Sequence, residues 1–93
     1  MVESVDEEGL FKQAEDIVSA CGGAQNISGI DSIISRLEVA VVSRHLVNLP
    51  AIRDAGAISV VLQNQEVQII VGERAEKLHY LLVKILDITP AGY

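Results

Sequence analysis

Tryptophan is absent from this chain, phenylalanine occurs once and tyrosine twice, so aromatics make up only 3 % of the residues. Any core must therefore be assembled from Ile, Val, Leu and Ala, and a hydrophobic content of 49 % supplies enough of them to argue against disorder. Cations are scarce as well: 7 Lys and Arg stand against 13 Asp and Glu, giving a formal net charge of −6. They are scattered and have no interleaved aromatics, which excludes a nucleic-acid-binding stripe. The same balance disfavours docking on an anionic membrane surface. No apolar run approaches the roughly 20 residues that span a bilayer, so direct membrane insertion is not expected. A single cysteine, Cys21, permits no internal disulfide. The start of the chain, with Glu3, Asp6, Glu7 and Glu8, is too acidic to read as a secretory signal. A cytoplasmic domain follows, free or part of a larger protein, with one modest core in 93 residues.

Hydrophobic periodicity divides the chain into seven elements. Residues 1–8 read as a flexible polar segment. Leu10, Ala14, Ile17, Val18 and Cys21 lie on one helical face, and Gly22 and Gly23 end that helix. From Ile27 to Val42 the period changes to two. Ile30, Ser32 and Ile34 share a strand face, a break falls near Ser35, and Leu37, Val39 and Val41 form the next inward face. Asn48 has the position of an N-cap, with Pro50 in the first turn and Gly56 as the stop of a short helix over 51–55. Ile58, Val60 and Leu62 predict a third strand, and Val67, Ile69 and Val71 a fourth. Asn64 lies in the connecting turn because it tolerates a left-handed backbone. A last helix is expected over 73–87, with Leu78, Leu81, Leu82 and Ile85 inward and a Glu73–Lys77 pair outside. Residues 89–93 read as a tail or linker stub.

The expected fold class is α+β, in the order α-β-β-α-β-β-α. A four-stranded antiparallel sheet is covered on one face by helices. Leu10, Ile17, Leu37, Val39, Val60, Ile69, Leu78 and Leu82 are the predicted core. Val42, Val61 and Ile70 point away from the helices, making the open sheet face a candidate contact surface.

Among chemically capable residues, Cys21 sits on the apolar face of the first helix and reads as a small core residue. His45 falls in a loop and His79 on a helix exterior, with no ligand at metal-binding spacing, so no metal site is expected. Gly22 and Gly23 lack the lysine of a phosphate-binding loop. No cofactor is expected.

Three stretches resemble a known family. Cys21 to Ile27 is similar to its helix-ending Leu-Gly-Gly-x-x-Asn-Ile. Asp31 to Val39, read as Asp-Ser-Ile-Ile-Ser-Arg-Leu-Glu-Val, is similar to Asp-Ala-Cys-Ile-Thr-Arg-Leu-Arg-Val. Val67 to Gly72 is similar to Val-Gln-x-Ile-Phe-Gly. Spacing and element order agree over roughly residues 10–88. The chain thus resembles the B domain (enzyme IIB) of the glucose family of the phosphoenolpyruvate-dependent sugar phosphotransferase system. The domain boundaries that follow are a IIB-like domain over 9–88, between the segments 1–8 and 89–93.

The resemblance implies a domain that takes phosphate on a cysteine from a IIA domain and passes it to sugar in a membrane IIC domain. That chemistry needs a thiolate, with arginines to stabilise it and the phosphoryl oxygens. Here the acceptor position falls on Ile33, a hydrocarbon. The first arginine of the motif is kept as Arg36, whereas the second is Glu38, which would repel a phosphoryl group. The turn before Val67 is Asn64-Gln65-Glu66, not the family's glycine-rich turn. Ser32 and Ser35 flank the acceptor position but have no adjacent base to activate them. Arg36 reads equally as a strand-end arginine paired with Asp31 or Glu38, and as a retained partner contact.

The resemblance therefore implies a degenerate copy that binds a IIA or IIC partner through Ile33, Arg36, Glu38, Asn64 and Gln65. It would act in the cytoplasm, on its own or as the cytoplasmic domain of an inner-membrane permease. The alternatives are an active domain with Ser32 or Ser35 as acceptor, and a structural or oligomerisation module.

Overall fold

Helix α1 (Val2–Ala20) buries Ala14, Ile17, Val18 and Ala20 along the stripe expected from periodicity. In the computed structural model, backbone is described for residues 2–88 and side chains for residues 8–86. The helix begins eight residues earlier than its apolar pattern, which starts with Leu10. Its end follows from two glycines. The Gly23 N–H donates to the Val18 carbonyl at 2.9 Å and the Gly22 N–H to Ser19 at 3.1 Å, with Gly22 at φ 103. This is the 6→1 and 5→2 pair of a Schellman cap. A Cβ on Gly22 would come within 2.7 Å of the Asn26 amide and 2.8 Å of Leu46, so glycine is needed for space as well as for φ.

Strands β1 (Ile27–Ile33) and β2 (Arg36–Val41) form a hairpin, as do β3 (Ser59–Gln63) and β4 (Glu66–Ile70). All pairings are antiparallel and the sheet order is β1-β2-β4-β3. Helix α2 (Leu49–Asp54) lies against β3. Its cap is as expected: the Asn48 side chain accepts from the Ala51 N–H at 3.1 Å. Helix α3 (Ala75–Ile88) lies against β1 and β2, and α1 packs on both other helices. Leu37, Val39, Val41, Val67, Ile69 and Val71 face the helices and meet Ile17, Ile52, Leu78 and Leu82 in one core. The expected α+β fold and element order are what the chain adopts.

Several local expectations need correction. Ile34 is not part of a strand face: it occupies the β1–β2 turn at φ 55 and is 93 % exposed. Ile58 precedes β3 and is 71 % exposed, although its N–H still donates to the Ile70 carbonyl. The last helix begins at Ala75, because Gly72–Arg74 forms a 3-10 turn ahead of it. Glu73 therefore sits outside the helix, and the Glu73–Lys77 pair is not among the ion pairs of the described residues. Helix α2 starts at Leu49, ahead of Ala51. Leu10 and Val60 pack against the core from its edge without being fully buried, and His79 is half-buried where an exterior position was expected. The expected tail, 89–93, lies outside the described residues, as do the side chains of residues 1–7.

Candidate functional site

Ile33 and Arg36 are cross-strand partners that close the β1–β2 hairpin around Ile34 and Ser35. The tip is fastened to the neighbouring strand. The Ser35 carbonyl accepts the N–H groups of both Val71 and Gly72, each at 3.0 Å. Gly72 is at φ 74, which a side chain would make strained. The third family-like stretch, Val67 to Gly72, thus ends on the hairpin that contains the second.

Register places Ile33, Arg36, Ile70 and Ser59 in one row across the open face of the sheet. Ile34 lies in the turn beside Ile33, whereas Ile58 precedes Ser59 at the opposite edge of the sheet. Ile33 is 39 % exposed and Ile34 93 % exposed at this end. In the next row Asp31 stands opposite Glu38. Arg36 and Glu38, two apart on one strand, share this face. The Arg36 Nε lies 3.2 Å from the Glu38 Oε2, so Arg36 pairs with Glu38, settling the choice between it and Asp31. Asp31 instead accepts the N–H of Ser32 at 2.8 Å. The three charged groups sum to one negative charge, and the single cation is already paired with a carboxylate.

The other nucleophile candidates lie in unfavourable settings. Ser32 pairs with Leu37 and so points to the helix side, half-buried. Ser35 is half-buried in the turn. Neither side chain is hydrogen-bonded to a histidine: His45 lies in the 3-10 turn Arg44–Leu46, beyond the other end of β2, and His79 is on α3. Cys21 is fully buried, and loss of hydration pushes its thiol up to about 12, which suppresses the reactive thiolate. Among the described residues no group of His, Cys, Asp and Glu is placed to hold a metal ion.

Asn64 and Gln65 lie apart from this row, at the other end of β4. Arg36 pairs with Ile70 whereas Ala40 pairs with Glu66, so the β3–β4 turn lies four residues along β4 from the hairpin tip, or about 13 Å. Gln65 is instead tied to the end of β2: its Nε2 donates to the Val42 carbonyl at 2.7 Å. Asn64 takes the expected left-handed conformation, at φ 57. Sequence reading had placed Ile70 on the open face without connecting it to Ile33. The N–H groups that anchor Ser35 also escape it, because strand register decides both.

The first family-like stretch serves architecture. Its buried Asn26 donates through Nδ2 to the Cys21 carbonyl at 2.7 Å and the Ser43 carbonyl at 3.0 Å.

No model of a known protein family matches the chain. Individual proteins do. It is 37 % identical over 87 residues to the N-acetylglucosamine-specific EIICBA component of the phosphotransferase system of Escherichia coli K12, and 38 % identical to that of Klebsiella pneumoniae. Each match covers 92 % of this chain but 13 % of the relative. The maltose-specific EIICB component of Escherichia coli K12 is 40 % identical over 63 residues, covering 67 % of this chain and 12 % of that protein. The chain thus spans about an eighth of the length of these relatives. A domain of the phosphotransferase IIabc component from Clostridium difficile shares the fold, with a TM-score of 0.72 and 24 % identity over 83 % of this chain and 81 % of that one. Among the described residues no helix is long and apolar enough to cross a membrane. With three motifs in register, relatives that match over most of its length and the same antiparallel architecture, this chain is a IIB-like domain of the phosphotransferase-system sugar permeases.

Proposed function

We propose that this domain carries no phosphoryl group and acts by binding a phosphotransferase partner at the hairpin end of its sheet. One observation carries the reading: across from Ile33, which the motif resemblance gives the acceptor's place, Arg36 is already paired with Glu38 at 3.2 Å. A hydrocarbon offers no lone pair, and a neutralised guanidinium adds little stabilisation to an incoming phosphoryl group. The partner is the A component or the membrane C component of a permease, since similar proteins are EIICBA and EIICB components. The domain would work on the cytoplasmic side, alone or fused to such components.

Incubation with a complete phosphotransfer chain and phosphoenolpyruvate, followed by intact-mass analysis, tests this. No mass gain is expected. A gain of one phosphate that Ser32→Ala or Ser35→Ala abolishes would establish the alternative, an active domain with a serine acceptor. Absence of any partner binding would leave a structural or oligomerisation module.

A further inference from the structure

We infer that the hairpin end discriminates by charge, taking an unphosphorylated A component and rejecting the phosphorylated form. The inference rests on the binding role proposed above and adds its direction. Ile33 and Ile70 on the open face and Ile34 in the turn give this end an apolar character, with Ile34 largely in water. A neutral partner surface gains by covering them. A phosphoryl group adds roughly −1.5 to −2 charges and needs donors to replace its water. The two cations nearest in sequence each already hold an acceptor. Arg36 is held by Glu38 at 3.2 Å, and the Arg74 Nη1 donates to the Gln13 Oε1 at 3.2 Å. Asp31 and Glu38, facing each other across β1 and β2, add repulsion in the next row. Docking that would suit a neutral partner is thus opposed for a phosphorylated one.

Titration calorimetry of the full chain against a purified A component, unphosphorylated and phosphorylated, reads the effect. The unphosphorylated form should bind tighter by roughly tenfold or more. Raising the salt from about 0.05 M to 0.5 M should shrink that ratio without a change of sequence, since exposed charges are screened. Glu38→Gln should narrow the ratio, and Ile33→Ser should weaken both forms alike, with circular dichroism confirming that each variant folds. Equal affinities, or tighter binding of the phosphorylated form, would overturn the discrimination and leave the binding role standing. No binding of either form at near-millimolar concentration would overturn both.

Discussion

The side chain of Asn26 and the backbone of Ser43 exchange two hydrogen bonds, Nδ2 to the Ser43 carbonyl at 3.0 Å and the Ser43 N–H to Oδ1 at 2.8 Å. With the third bond to Cys21, one buried amide ties the end of α1 to the segment after β2. Asn26→Ala strands these backbone groups in the interior. The expected loss is about 1–3 kcal/mol, seen as a lower urea midpoint with an unchanged slope. An unchanged midpoint would mean that water replaces the amide at no cost.

Ile34 and Asn64 occupy corresponding turn positions at φ 55 and φ 57, but only asparagine is suited to that conformation. Ile34→Asn should raise stability by about 1 kcal/mol, read as a higher thermal midpoint. The same change removes an apolar side chain from the hairpin tip, so it should weaken partner binding. Parallel gains in stability and affinity would contradict the docking role of Ile34.

Burial raises the Cys21 thiol to about 12, so the folded chain keeps a proton that the unfolded chain releases at a lower pH. This contribution to stability is intact below the ordinary thiol range and fades as pH climbs from about 9 towards 12. The decline approaches about 1.4 kcal/mol per pH unit where only the unfolded thiol is ionised. Urea unfolding at rising pH should show a steeper decline for the natural chain than for Cys21→Ala. Equal slopes would mean that the thiol ionises freely in the fold.

Ile33→Cys supplies a thiol where the motif resemblance places the acceptor but leaves Arg36 held by Glu38. That variant alone should take up little phosphate from a phosphorylated A component. Ile33→Cys combined with Glu38→Arg should take up more, because the thiolate and the phosphoryl oxygens gain free cations. Intact mass separates the two, and efficient phosphorylation of the single variant would show that Glu38 is no obstacle.

Much of the fold was legible because alternation and helical spacing are local. Leu37, Val39, Val67 and Ile69 declared their inward face by position alone, and Gly22-Gly23 declared the helix end. Ile34 misled for a physical reason: a β-branched residue favours strand, and only the two-residue turn forces it into the left-handed region. The site was half legible. Ile33 and Arg36 meet through a hairpin, which short-range pattern can reveal. How far Asn64 and Gln65 lie from them depends on which end of β4 reaches the hairpin, and strand order and register encode that in no single stretch.

The clasp of the Ser35 carbonyl on Val71 and Gly72 makes the hairpin tip continuous with the strand-to-helix junction that opens into α3. A tip fastened in this way has little freedom left to lose. A partner docking there would meet a small ordering penalty, so even a modest apolar footprint would hold a complex that a floppy loop of the same composition could not.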